Sequence, residues 1–249
     1  MNLVSRAVSP TSDIATAVGS VGLPNPIMTA SGTSGHGTEL ADYGDLSRLG
    51  AVVVKSVSVR PWDGNPAPRV HEVGSGMLNS VGLQGPGLAV WLARDLPALT
   101  ECGARVVVSI WGQSVDDYAG AAAMLARAAH GGSAIVAVEV NVSCPNVEDR
   151  SRMFAHSETA TAQVVAATEC GLPRWVKLSP NVPDIAAIAG AALGAGAEAL
   201  TLTNTLLGLA LDIDTGRPVR REVAREQSNQ SHGASACYQT QGIVRLHAI

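Results

Sequence analysis

The sequence predicts an α/β protein of the (β/α)8 TIM barrel class, incomplete toward its C-terminal end. Three observations carry that prediction. Short apolar runs alternate with stretches whose apolar residues recur at helical spacing, the rhythm of parallel strands joined by crossover helices. The polar residues gather just beyond the C-terminal ends of the strand-like runs, the face on which such barrels build their sites. After residue 219 the rhythm stops.

The strand-like runs are residues 26–30, 51–57, 105–110, 135–140, 174–178 and 199–203. Each is short, apolar and mostly β-branched or aliphatic, as a strand covered on both faces requires. Helix-like stretches fall at 38–49, 88–101, 115–129, 157–170 and 183–194. An open, doubly wound sheet is the competing closure. It would gather its ligand at one crevice, whereas here Ser31-Gly32, Lys55-Ser56, residues 141–146, Lys177-Leu178-Ser179 and Asn204-Thr205 follow five different strands. Residues 31–37 are glycine-rich but lack the G-x-G-x-x-G spacing, and no acidic residue ends the second strand, so a dinucleotide fold is not indicated.

Composition bounds the function. The chain has 249 residues, is 46% hydrophobic and carries a net charge of −4, with its basic residues scattered. That balance speaks against nucleic acid as the main partner. The four cysteines, at 102, 144, 170 and 237, show neither metal-ligand spacing nor a disulfide framework, so reduced thiols and a cytoplasmic location are expected. Glu198 and Asn204 interrupt the most apolar region, and no stretch reads as a membrane span. One barrel domain is expected over residues 1–219 and an aberrant, poorly ordered tail over 220–249.

The segment Asn141-Val142-Ser143-Cys144-Pro145-Asn146 directly follows the run at 135–140. A lone cysteine at a strand end is most often a small buried hydrophobe. Here Pro145 ends the regular ladder and fixes a turn, and two carboxamides flank the thiol. Amides offer donors and acceptors together, so Asn141 and Asn146 could hold a flat polar ligand while Cys144 moves a proton. Lys55 and Lys177 each close an apolar strand. Either alone could be snorkelling to solvent. On one barrel face both would point into the same mouth, toward an anionic ring or a phosphate.

These blocks together resemble the dihydroorotate dehydrogenases, in the soluble, flavin-dependent branch. The resemblance runs from about residue 23 to 219. It rests on Ala30-Ser31-Gly32, Lys55-Ser56-Val57, the Gly64-Asn65-Pro66-Ala67-Pro68-Arg69 block, residues 77–87, the Asn141 to Asn146 turn, Val176-Lys177-Leu178-Ser179-Pro180-Asn181 and Thr203-Asn204-Thr205. The proline-rich block and the cysteine base look most like the branch whose catalytic subunit works with an FAD and iron–sulfur electron-transfer subunit and passes electrons to NAD.

The resemblance implies FMN as cofactor and a homodimeric catalytic subunit in the pathway to UMP. It implies that Cys144 takes a proton from C5 of dihydroorotate while hydride leaves C6. Lys55, Asn79, Ser80, Val81, Gly82, Leu83, Asn141, Asn146, Asn204 and Thr205 would line the substrate. Ser31, Gly32, Lys55, Ser56, Ser109, Asn141, Lys177 and Thr203 would meet the flavin. Ser109 departs from the family, which commonly carries asparagine there; a serine hydroxyl donates one hydrogen bond and is shorter.

The tail departs further. Residues 220–249 are polar and aperiodic where two more strand–helix units would be expected. A frame slip near codon 220 would account for this: with synonymous codons freely chosen, a two-base shift permits a glycine-rich stretch followed by Ala-Ile-Gln-Pro-Val-Ala, which resembles the family's continuation. The expectation is then a missing phosphate cradle and weak FMN binding. The rival readings are a dihydropyrimidine dehydrogenase-like reductase of uracil or thymine, an inactive truncated paralogue, and, last, a phosphate-binding isomerase or aldolase using Lys177.

Overall fold

The computed structural model describes residues 14–73, 76–129, 133–146, 152–216, 236–238 and 245–248. The chain opens with a hairpin, β1 (Thr16–Val18) and β2 (Val21–Leu23). Two 3-10 turns, Ala41–Tyr43 and Leu46–Arg48, lead into β3 (Val52–Val53). A second hairpin, β4 (Val70–Val73) and β5 (Gly76–Asn79), precedes α1 (Leu88–Glu101), β6 (Val106–Ile110), α2 (Val115–Ala128) and β7 (Ile135–Asn141). Then come β8 (Pro145–Asn146), β9 (Arg152–Met153), α3 (Glu158–Ala167), β10 (Arg174–Lys177), α4 (Ile185–Gly194), β11 (Ala199–Leu202) and β12 (Leu206–Gly208). Two short strands follow, β13 (Ala236–Tyr238) and β14 (Arg245–Ala248).

The main sheet has the order β14-β11-β10-β7-β6-β3. All neighbours from β3 to β11 pair in parallel, and α1 to α4 supply the crossovers, so the fold is an incomplete (β/α)8 barrel. At the edge of β11, where the next parallel strand of a barrel would lie, β14 pairs antiparallel. A smaller antiparallel sheet, β12-β13-β5-β4, stands at the C-terminal end of the strands, since β12 follows β11 and β5 leads into the loop before α1.

Side chains alternate across the parallel sheet, as a period of two demands. Val52, Val54, Val106, Val108, Ile110, Val138, Val140, Val176 and Leu200 join the helix-facing core with Leu88, Trp91, Leu125 and Val164. The intervening positions Val53, Val107, Ala137, Trp175 and Ala199 form a separate interior cluster with Val18, Val21 and Leu23. The β1–β2 hairpin is thus a plug against one end of the barrel interior. One large indole among small neighbours fills that layer. The next interior positions along β6, β7, β10 and β11 are Ser109, Glu139, Lys177 and Thr201, a buried polar layer above the apolar one.

Four of the expected helices appear within a few residues of their expected limits, three of them under side-chain caps. Ser114, Ser157 and Asp184 each accept a hydrogen bond from the backbone N–H three residues on. The helix expected at 38–49 does not form. Gly44 is extended, and the Asp45 carboxylate starts a new turn by accepting from Ser47 N–H. The carbonyls of Ser47, Leu49 and Gly50 then accept from the Arg105 guanidinium. The strand expected at 26–30 is reduced to one parallel bridge, Met28 to Ala51. Thr29 replaces part of the ladder: its hydroxyl donates to Val53 O (3.1 Å) and accepts from Val53 N–H (2.8 Å). Among the described residues no helix is long and apolar enough to cross a membrane, and no cluster suits a metal ion. The expected tail at 220–249 lies outside the described residues except for the backbone of β13 and β14.

Candidate active site

Strand β7 ends at Asn141, and the chain then turns so that the Ala155 N–H donates to Val142 O and the Phe154 N–H to Cys144 O. This packs the thiol inward: Cys144 is completely buried. Burial pushes its pKa up to about 12, while the Tyr118 hydroxyl and the nearby Lys177 charge act in the opposite direction. Tyr118, from α2, donates to Asn141 O at 2.6 Å and stands edge-on to Phe154. It therefore braces both the end of β7 and the thiol.

The Asn141 side chain lies at the centre of the polar groups. Its Nδ2 donates to Ser56 Oγ at 3.4 Å, and its Oδ1 accepts from Asn204 Nδ2 at 3.0 Å and Ser143 N–H at 3.1 Å. Asn204 Oδ1 in turn accepts from the backbone and hydroxyl of Thr205. Ser31, Ser56 and Ser109 form a row of hydroxyls, with Oγ separations of 3.1 and 2.8 Å. Ser31, which follows the Met28 bridge, and residues from the ends of β3, β6, β7 and β11 thus meet at one place, although they are up to 173 positions apart, from Ser31 to Asn204.

Lys177 ends β10, is buried, and donates no hydrogen bond to a protein group among the described residues. Its charge is felt at Cys144. Lys55 is half-buried and likewise donates no side-chain hydrogen bond among them. Burial and the charge of Arg69 both lower its pKa. Two partly desolvated ammonium groups without protein acceptors create a demand for an anionic or carbonyl-rich ligand. The Ser143 hydroxyl, next to Cys144 in the chain, is also buried without a partner among the described residues. The residues present therefore fit a flavin and a small anion.

Asn79 ends β5, and Ser80 to Leu83 form the loop that follows. The loop is tied to the proline-rich block by Asn65 Nδ2 to Ser80 O (2.7 Å), Asn65 N to Val81 O (3.0 Å) and Trp62 Nε1 to Gly82 O (2.9 Å). Gly82 has φ +74°, and a Cβ there would lie 2.8 Å from Asn65 N. Leu83 also has positive φ. Asn146 belongs to β8, which pairs with β9; its side chain lies outside the described residues. Gly32 and Thr203 are exposed at their strand ends.

Ser109 differs from the other expected flavin contacts. It is fully buried, and its hydroxyl bonds to Ser56 and Glu139. Three residues were missed: Glu139, Tyr118 and Ser143. Glu139 had a signal, a carboxylate inside an otherwise apolar strand. Tyr118 had none, because an aromatic on a helix face reads as core.

Residues 13–225 match the family described as "Dihydroorotate dehydrogenase". The catalytic subunit of dihydroorotate dehydrogenase B (NAD(+)) from Alkaliphilus metalliredigens is 43% identical over 208 residues, 83% of this chain and 67% of that one. The protein of the same description from Citrifermentans bemidjiense is 42% identical over 213 residues, 85% of this chain and 68% of the relative. That from Desulforudis audaxviator is 46% identical over 207 residues, 82% and 66% respectively. The chain spans about two thirds of the length of these relatives.

Proposed function

The chain belongs to the dihydroorotate dehydrogenase family, and from that premise we propose that its cleft oxidises dihydroorotate to orotate in pyrimidine biosynthesis. The observation that carries the reading is the meeting of Cys144, Asn141, Asn204 and an unpartnered Lys177 at the ends of three parallel strands. The cofactor is a flavin, and FMN is the form we propose; held in this cleft, it would supply the hydride acceptor for the oxidation.

The protein's own part is to bind, orient and move one proton. Lys177, Lys55, Ser31, Gly32, Ser56, Asn141 and Thr203 would hold the flavin, and the two ammonium groups would supply positive charge for its carbonyl oxygens. Asn79, the loop Ser80 to Leu83, Asn141, Asn146, Asn204 and Thr205 would hold the substrate, whose carboxylate and ring amides need donors and acceptors together. Cys144 Sγ first releases its own proton to water, and the resulting thiolate takes the proton from C5 and returns to the thiol. With its pKa near 12 the resting group is a thiol, so that release depends on the nearby Lys177 charge to favour the thiolate as substrate binds.

We further propose that a second subunit carrying FAD and an iron–sulfur cluster takes the electrons onward to NAD, in the cytoplasm. The words "catalytic subunit" in the relatives' descriptions support a partner. The test is orotate formation from dihydroorotate by the chain supplied with FMN and an artificial acceptor. Lys177→Met should weaken the binding of added FMN further while the protein stays folded. Turnover of dihydrouracil in place of dihydroorotate would overturn the reading in favour of a pyrimidine reductase.

A further inference from the structure

Glu139 lies on the interior face of β7 and is buried, yet no cation lies within ion-pair distance of it among the described residues. Its two carboxylate oxygens are satisfied separately: Oε1 accepts from Ser109 Oγ and Oε2 from Thr201 Oγ1, both at 2.9 Å. A carboxylate can only accept, and that fixes every hydrogen bond above it in turn. Because Ser109 has one hydroxyl hydrogen and gives it to Glu139, the 2.8 Å contact with Ser56 must have Ser56 as donor. Ser56 Oγ then has only lone pairs left, and these receive Ser31 Oγ–H at 3.1 Å and Asn141 Nδ2–H at 3.4 Å. With Asn141 Nδ2 turned toward Ser56, its Oδ1 faces the donors Asn204 Nδ2 and Ser143 N–H. Asn204 Oδ1 consequently faces Thr205, which donates twice.

We infer that Glu139 is a positioning residue: its carboxylate is the terminal acceptor of a directed hydrogen-bond relay through Ser109 and Ser56. The relay holds the Asn141 amide from its donor side, as the Ser143 N–H holds it from its acceptor side, and through Asn141 it steadies Asn204 in the ligand cleft. An asparagine amide is nearly symmetric in shape; the Ser143 N–H fixes which end of Asn141 is the oxygen, and the acceptor-only group below leaves Ser56 Oγ free to receive the other end. In this orientation each Nδ2 has one hydrogen left beyond the bonds to Ser56 and Asn141, a donor that would match the carboxylate and carbonyl oxygens of orotate. Ser109 is on this view a link in the relay and not a flavin contact. The inference rests on the reading of the cleft as an orotate site.

Orotate binding to the FMN-loaded protein tests it, measured by calorimetry and by the flavin difference spectrum, for wild type, Glu139→Gln, Ser109→Ala and the double variant. Glutamine keeps the shape but can donate, so the relay loses its obligatory direction. Each single variant should weaken orotate by about tenfold, the loss expected for hydrogen bonds to a charged ligand. The double variant should be no weaker than the worse single, because both cut one chain. Additive losses, or orotate affinity equal to wild type in either folded variant, overturn the relay. Should Glu139→Gln fail to fold, Ser109→Ala, which leaves the carboxylate in place, decides alone. A wild type that binds dihydrouracil but not orotate overturns the functional reading and this inference with it; a wild type that binds orotate beside unaffected variants overturns only the inference.

Discussion

Cys144 offers a prediction whose size follows from its burial. The folded thiol keeps its proton up to about 12, against an ordinary value of 9.0. A group whose folded pKa is raised contributes stability that is complete below the unfolded value and is lost as pH rises toward the folded one. Below pH 9 the term is therefore whole, and between 9 and about 12 it declines at about 1.4 kcal/mol per pH unit. Near about pH 10.5 the wild type should have lost about 2 kcal/mol that a Cys144→Ala variant does not lose. At neutral pH the order is reversed, since the variant leaves a small void in the core. Urea denaturation of both proteins at pH 8 and about 10.5 measures the difference, and lysine and tyrosine titrations common to both cancel. Parallel losses with pH would refute the argument, because they would mean that the thiol ionises as freely in the folded state as in the unfolded one. The same ionisation should govern turnover, so kcat should climb with pH through the alkaline range for as long as the fold survives.

Two further changes probe the supports of the site. Tyr118→Phe removes the hydroxyl that donates to the buried Asn141 carbonyl at 2.6 Å and should cost about 1–3 kcal/mol in urea denaturation. Gly82→Ala places a Cβ 2.8 Å from Asn65 N at φ +74°, a left-handed position costing about 1–2 kcal/mol for an alanine. The loop Ser80 to Leu83 must then shift, and steady-state kinetics should show KM for dihydroorotate rising more than kcat falls.

Much of the barrel was legible because local patterns agree with tertiary environment. The runs at 105–110, 135–140 and 174–178 are strands buried on both faces, and continuous apolar sequence marks such strands without needing neighbours. The helix at 88–101 is where its period placed it. Segment 38–49 has helical apolar spacing, but the extended Gly44 and the Asp45 cap interrupt it, and Arg105, far along the chain, holds the carbonyls of Ser47, Leu49 and Gly50 in the turn that forms instead. The two hairpins, β1–β2 and β4–β5, were not foreseen: each strand has only three or four residues, too few to show a period.

The motifs at Lys55, Asn141 to Cys144, Lys177 and Asn204 were determined by sequence alone, since residue type and place at a strand end are local properties. So was the family. What only the tertiary structure decided is which of these polar groups face one another and in which direction they donate. Glu139 reads in the sequence as one carboxylate in an apolar strand. Its acceptors meet Ser109, 30 residues earlier, and Thr201, 62 residues later, only when parallel strands bring them into register. The fate of Cys144 is decided in the same way: a thiol's chemistry is set by its surroundings, and folding supplies the burial that raises its pKa together with the tyrosine and lysine that oppose that rise.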